Sequence, residues 1–326
     1  MSTRWSILKI LSDGAFHSGT DIGRALGVSR AAVNKCIKSL TEMGLEVHRV
    51  SGRGYRLGEP CVPLDRQEIE GHLGSEGTQA ALALHIVEEI DSTNGYLLRL
   101  AETRSVSGHV CVAESQTHGR GRRGRDWLAT PYHNIMLSIA WQLQAAAAAI
   151  SGLSLAAGVA IVRALRDCGV AGVGLKWPND LIWQERKLGG VLVDIRGEAT
   201  GPCLVVLGAG VNVKLRHREA DGIGRPWIDL QAIAGDTPDR NRLAGLMAGH
   251  LAAMFRQFEQ EGFAAFWPEW ERLHVHAGKP VRLLVAEGEV HGHAEGVDRN
   301  GGLLLRDAAG KQQVFHAGEV SLRQAS

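Results

Sequence analysis

The stretch SGTDIGRALGVSRAAVNKCIKSL, Ser18 to Leu40, leaves little room for anything but two short helices meeting at one break. Ser18 followed by Gly19, Thr20 and Asp21 reads as a helix N-cap with an acid in the first turn. Leu26 is the last apolar residue before Gly27, whose access to left-handed backbone ends a helix. Ser29 can cap a second helix, along which Val33, Ile37 and Leu40 recur on one face. Arg30, Ala31, Asn34, Lys35 and Lys38 fall on the opposite face. Two helices around a tight glycine turn, the second with a basic outer face, are the signature of a helix-turn-helix. VSGRGYRL, Val50 to Leu57, then reads as a hairpin with Arg53 near its tip, which makes the unit winged. A first domain is expected over residues 1–62.

Charge supports a nucleic-acid role for this unit. The whole chain is almost neutral, with 36 Lys and Arg against 35 Asp and Glu. Residues 1–60 hold nine basic and five acidic residues, a net +4, so the remainder is about −3. The basic excess is therefore local, as DNA binding requires. The competing reading is a small helical domain with a solvated charged face.

Five scattered cysteines (Cys36, Cys61, Cys111, Cys168 and Cys203) contain no C-x-x-C, which fits a reducing compartment. The 14 histidines show no H-x-x-x-H spacing, so no structural metal is expected. The first residues read as neither a signal peptide nor a membrane span, and a cytoplasmic chain with no membrane partner is the expectation.

GEPCVPLD, Gly58 to Asp65, carries two prolines and reads as a linker. Residues 66–275 mix strands and helices. HVCVAES and NIMLSIAW read as strands, the second with Ile135, Leu137, Ile139 and Trp141 on one face. The Ala-rich run from Ala145 to Gly169 reads as one buried helix starting in its alanines, and NRLAGLMAGHLAAMFRQFEQEG as an amphipathic helix. GGVLVDI and CLVVLGAGVNV read as central strands. From residue 276 the period changes to short strands separated by Glu287-Gly288, Asn300-Gly301 and Ala309-Gly310 turns. Roughly fifty residues of this kind suggest a small SH3-like barrel over 276–326.

GRGRRGRDW, Gly119 to Trp127, is the most unusual segment. It satisfies G-x-G-x-x-G, but a dinucleotide site also needs a following helix and an acid about twenty residues on. Here Pro131 and a second strand follow instead, and no Gly-Lys-Ser/Thr closes a Walker A loop. An Arg/Gly run that binds a nucleic-acid backbone is the remaining alternative. The run is short and lies between two apolar strands, which favours a cradle over a pocket. Its glycines admit close backbone approach to an anion and its arginines supply bidentate charge. KWPND (Lys176 to Asp180), RKLGGVLVD and LGAGVN add two lysines, Lys176 and Lys187, and bare glycine backbone. No Ser-His-Asp or Cys-His set accompanies them. The collection suits bringing two anions together better than it suits hydrolysis.

These segments, together with DSTN (Asp91 to Asn94) and GEVSLR (Gly318 to Arg323), resemble in content and order the bacterial biotin–[acetyl-CoA-carboxylase] ligases that double as biotin-operon repressors. The resemblance spans essentially the whole chain. It implies an α+β fold with an N-terminal winged helix-turn-helix, a central mixed-sheet ligase domain similar to class II synthetases and a small C-terminal barrel. It implies that biotin carboxylate attacks the α-phosphate of ATP, and that biotinyl-5′-AMP then passes biotin to an acceptor lysine of biotin carboxyl carrier protein.

Carried over by motif, Ser92, Thr93, Asn94 and Gln116 would hold the ureido end of biotin. Gly119, Arg120, Gly121 and Arg122 would close over its carboxylate, with Gly190 and Gly208 in the biotin site. Lys187 and Arg122 would be the catalytic cations and would also touch ATP. Trp127, Lys176, Asn179, Asp180 and Asn212 would complete the ATP site, with Mg²⁺ near Asp180 and no other metal. The resemblance further implies an adenylate-bound homodimer that binds operator DNA through Arg30, Ala31, Asn34, Lys35, Lys38 and Arg53. Asp126 stands where a basic residue is expected before Trp127.

A non-catalytic biotin sensor would need neither lysine. A lipoate-type protein ligase would lack both the arginine loop and the winged helix. A third alternative is ligase activity with a vestigial DNA domain, which DNA-binding data would discriminate.

Overall fold

The computed structural model describes residues 2–128, 130–144, 150–197, 201–215, 226–285, 288–316 and 321–324. At the N-terminus, helices α1 (Thr3–Leu11), α2 (Gly19–Leu26) and α3 (Arg30–Glu42) pack beside the antiparallel hairpin β1 (Val47–Val50) and β2 (Gly54–Leu57). Ser18 Oγ accepts from Thr20 N and Ser29 Oγ from Ala32 N, so both anticipated caps form. Gly27 takes φ 66°, the left-handed turn the break demands. Val33, Ile37 and Leu40 point into a core with Trp5, Ile7, Leu8, Leu11, Ile22 and Tyr55.

Tyr132, from the central part of the chain, completes that core. It lies 5 % exposed and edge-on to Trp5, with ring centroids 6.4 Å apart. The anticipated linker is likewise no free tether. Cys61 N donates to Ser12 O, Leu64 N donates to Glu114, and Asn241 brackets the chain by accepting from Asp65 N and donating to Pro63 O. Burying an extended backbone requires these partners, and proline content alone does not reveal them.

After α4 (Arg66–Gly71) and α5 (Gly74–Gln79) come β3 (Ala83–Ile90), α6 (Thr93–Leu100), β4 (His109–Gln116), β5 (Asn134–Leu143) and α7 (Leu153–Asp167). They are followed by β6 (Gly174–Lys176), β7 (Asp180–Trp183), β8 (Arg186–Gly197) and β9 (Cys203–Asn212). Among the described residues the sheet has seven strands in the order β3-β4-β5-β9-β8-β7-β6. Only the β3–β4 pair is parallel, because α6 crosses between those strands.

β5 is central and buried on both faces. Ile135, Leu137, Ile139 and Trp141 join the main core, where α7 and the helix Arg240–Glu261 pack, and Trp141 stacks on Phe255. Met136, Ser138 and Ala140 alternate to the other face, where α6 packs and the cavity described below opens. The Ala-rich helix begins later than its composition suggests. Gly152 caps it at φ 81°, so it starts at Leu153; the alanines at 145–149 lie outside the described residues.

At the C-terminus β10 (Pro280–Val285), β11 (Gly288–Val297), β12 (Leu303–Arg306), β13 (Gln312–Phe315) and β14 (Ser321–Gln324) form an antiparallel sheet ordered β13-β12-β11-β10-β14. Among the described residues no pairing of β13 with β14 closes it into a barrel. Glu287 and Gly318 to Val320, read from sequence as turn and motif, lie outside the described residues. The sheet is anchored to the centre through Trp177, whose indole N–H donates to Gly301 O at 2.9 Å, and Trp267, which donates to Val297 O at 2.8 Å.

Candidate functional site

A cavity of about 1160 Å³ crosses one face of the central sheet. Strand order dictates its layout. Gln116 comes from β4, Met136 from β5, Gly208 and Gly210 from β9, Lys187 and Gly190 from β8, Asp180 from β7 and Lys176 from β6, and all line it. Ser92, Thr93 and Asn94, at the start of α6, cover the β4 side, while Arg120, Gly121, Arg122 and Trp127 overhang it. Asn179 and Asn212 also line the cavity. Of the residues anticipated for this site, Gly119 alone does not line it. Its carbonyl accepts from Trp127 N at 2.8 Å, and it shapes the base of the arginine loop.

On the β4 side amides and hydroxyls are tightly coupled. Thr93 N and Oγ1 donate to Gln116 Oε1 at 2.7 and 3.1 Å. Ser138, fully buried on β5, places Oγ 2.7 Å from Thr93 Oγ1 and 2.5 Å from Asn94 Oδ1. Asn94 Nδ2 donates to Asp194 Oδ2 at 2.8 Å, and Arg120 reaches the same carboxylate at 3.7 Å. Ser138 and Asp194 were not anticipated. Their strands were recognised, but only register brings them to Asn94. A Cβ on Gly208 would lie 2.4 Å from Asn94 Oδ1, so glycine there lets the amide lie flat on the sheet.

On the β7–β8 side the groups are charged. Lys187 forms an ion pair with Asp180, and both are nearly buried. The lysine ammonium also sits 5.8 Å from the Trp127 ring centroid. Trp127 lies against Gly210, where a Cβ would meet the indole at 2.6 Å, and its buried Nε1–H has no acceptor. Arg122 donates to Asn179 Oδ1 at 3.4 Å. Burial and the neighbouring Arg123 press its guanidinium pKa downward, against the pull of Asp180.

The loop folds back on itself as a short hairpin. Gly121 N donates to Arg125 O, Arg120 and Asp126 form an antiparallel backbone bridge, and Arg123 sits at φ 58°. Asp126, where a basic residue was expected, therefore pairs through its backbone with Arg120. Among the described residues no cluster of three or more potential metal ligands occurs.

In the winged unit Arg30, Ala31, Asn34, Lys35, Lys38 and Arg53 are all exposed, away from the core of Val33, Ile37 and Leu40. Tyr55 OH donates to Asn34 Oδ1 at 3.3 Å, tying helix to hairpin, and Arg53 stacks over Phe16 at 4.3 Å.

Fold and site together define a mixed-sheet domain around a cavity lined by lysines and arginines, joined to a winged-helix domain. Residues 86–212 match the Biotin/lipoate A/B protein ligase family, 276–323 the Biotin protein ligase C terminal domain and 4–56 an HTH domain. The chain is 43 % identical over 321 residues to the bifunctional ligase/repressor BirA of Salmonella typhimurium, covering 98 % of this chain and 97 % of that protein. It is 42 % identical over 320 residues to the protein of the same name from Escherichia coli, with the same coverage. A biotin protein ligase from Aquifex aeolicus, solved with biotin and ATP, superposes with a TM-score of 0.64 at 29 % identity, over 74 % of this chain and 99 % of that one. The chain belongs to the biotin protein ligase family, in its bifunctional ligase/repressor branch.

Proposed function

We propose that the chain joins biotin to ATP as biotinyl-5′-AMP, releases pyrophosphate, and transfers biotin to an acceptor lysine of biotin carboxyl carrier protein. The observation that carries this reading is one cavity with two unlike halves. A neutral amide and hydroxyl cluster lies at β4–β5, a cationic group lies at β6–β8, and Lys187 stands among the charged residues lining it. The neutral half offers donors and acceptors to a ureido ring: Ser92, Thr93, Asn94 and Gln116, set by Ser138 and Asp194. Gly119, Arg120, Gly121 and Arg122 supply the lid, and Gly190 and Gly208 the floor. The repulsion between a carboxylate and an α-phosphate is the barrier, and fixed cations lower it. Lys187 and Arg122 are assigned that task.

Trp127 offers its face to adenine and its orphan N–H to an acceptor. Lys176, Asn179, Asp180 and Asn212 complete the nucleotide half. ATP enters as its Mg²⁺ complex, and the Asp180 carboxylate beside Asn179 suits an ion carried mainly on phosphate oxygens. Because water destroys a mixed anhydride, a loop that closes over it protects it.

The exposed basic face of α3 and the Arg53 hairpin support binding of operator DNA, with a homodimer of adenylate-bound chains supplying the two-fold symmetry. Five scattered cysteines with no C-x-x-C spacing support a cytoplasmic setting. The boundaries read from sequence, 1–62, 66–275 and 276–326, are kept as functional units, with a class II synthetase-like centre and an SH3-like C-terminal sheet. The test is biotin-dependent exchange of pyrophosphate into ATP, with lipoate alongside: exchange with biotin alone is expected, and its absence with biotin overturns the reading.

A further inference from the structure

The cavity continues past the last strand of the sheet to a histidine that the assignments above leave unused. His274 to His276 run alongside β6: Leu175 and His274 form a parallel bridge, and Val275 N donates to Leu175 O at 3.0 Å. His276 lines the same cavity as Lys176 and Glu185, although only 2 % of it is exposed. Its Nε2 faces Glu185 Oε2 at 3.7 Å, and its Nδ1 is buried without a hydrogen-bond partner. A buried ring nitrogen left unpaired is unfavourable, so it marks a position where a ligand can complete the bonding.

The charges around the ring indicate the ligand's sign. Lys176 faces it from β6, Glu185 from the β7–β8 turn and Lys279 from the approach to β10, where its Nζ donates to Glu185 at 3.0 Å. His274 stands edge-on behind it, with centroids 6.3 Å apart. Lys176 and Lys279 thus bring positive charge to the ring from two sides at this end of the cavity. Burial and then Lys176 hold the His276 imidazole down at about 4, so the empty site carries a neutral ring.

We propose that His276 binds the β- and γ-phosphates of ATP, and then the departing pyrophosphate, through a hydrogen bond from Nδ1 to a phosphate oxygen. This rests on the nucleotide half of the reading above. A polyphosphate cancels the field of Lys176 and Lys279 and favours the imidazolium, so the ring takes a proton from solvent as the nucleotide binds. Nε2–H then faces Glu185 and Nδ1–H faces phosphate. In the reaction, a biotin carboxylate oxygen bonds to the α-phosphorus while the bond from that phosphorus to the bridging oxygen breaks. The electron pair leaves on pyrophosphate, whose charge His276 stabilises while keeping its proton.

The experiment uses the full chain, with ATP and inorganic pyrophosphate as probes. His276→Ala is expected to raise KM for ATP and the inhibition constant of pyrophosphate about tenfold, and His276→Gln to recover part of both. Biotin affinity and transfer from preformed biotinyl-5′-AMP should stay at wild-type values. Because binding raises the His276 pKa, the benefit is present below the bound-state pKa and fades above it. KM for ATP should therefore rise with pH in the wild type more than in His276→Ala. In ¹⁵N spectra of the wild type near pH 7, pyrophosphate should convert one histidine from the neutral to the imidazolium pattern. Unchanged ATP and pyrophosphate constants in a folded His276→Ala overturn the proposal. So does a ring that stays neutral at saturating pyrophosphate, which decides the matter if the alanine variant does not fold. Loss of biotin-dependent exchange in the wild type would instead defeat the ligase reading itself.

Discussion

Lys187 Nζ and the Asp180 carboxylate are paired inside the cavity, with side chains only 11 % and 12 % exposed. A cation so little hydrated acts strongly on charge that develops beside it, because the surroundings screen it weakly. The paired acid holds the lysine in place. Lys187→Ala should lower biotin-dependent pyrophosphate exchange by about 10²–10³-fold while circular dichroism shows a folded chain. Retained exchange would remove Lys187 from its role.

Ser138 carries no charge and was not anticipated, yet it spans Thr93 and Asn94. Ser138→Ala leaves Asn94 Oδ1 without that donor, at a cost of about 1–3 kcal/mol. Calorimetry should show biotin binding weakened roughly 5- to 150-fold with ATP affinity little changed. Equal losses for both ligands would mean a general disturbance of the sheet.

Gly119 lies outside the cavity, but a Cβ there would meet Trp127 O at 2.6 Å. Gly119→Ser should therefore misplace the loop, and Arg122→Ala should remove charge from it. Stopped-flow measurements should find faster release of biotinyl-5′-AMP from both variants. Unchanged release would count against the loop as a lid.

Arg240 donates to Glu114 Oε2 at 2.7 Å and to Asn134 O, while Glu114 accepts from Leu64 N. The pair is almost fully buried, at 4 % and 6 % exposure. Arg240→Met leaves an uncompensated carboxylate and should destabilise the chain by about 3–5 kcal/mol in urea unfolding. It should also loosen residues 62–65, detectable as faster proteolysis there. A loss below about 1 kcal/mol would show that the carboxylate finds water or another partner.

Lys35 and Arg30 are exposed on α3 and are assigned to DNA phosphates or bases. Each alanine substitution that removes a phosphate contact should lower the slope of log K against log salt by about 0.9. Deleting residues 1–60 should abolish ligand-dependent DNA retention. Retention by the truncated chain would place the DNA site elsewhere.

Much of this architecture was legible in local spacing. The caps at Ser18 and Ser29, the break at Gly27 and the outward basic residues of α3 follow from helical geometry within a few residues of each position. Isolated signals were less reliable. The alanine run does not specify the helix start, because Gly152 overrides helix propensity at that point. The two prolines at Pro60 and Pro63 do not specify a loose tether, because Arg240, Asn241 and Glu114 bind that backbone from far along the chain.

The sequence by itself determined the inventory: a basic winged-helix unit, an arginine- and glycine-rich loop between apolar strands, two lysines beside bare backbone, and a terminal run of short strands. These rest on nearest-neighbour sterics, capping and charge, which need no knowledge of distant segments. Only the tertiary structure decided which residues share a site. The order β4-β5-β9-β8-β7-β6 sets Ser138 and Asp194 around Asn94, pairs Lys187 with Asp180, and carries His276 to the far end of the same cavity. Strand order and register arise from burying whole faces against α6, α7 and the helix Arg240–Glu261, a cooperative outcome that no short window of sequence contains.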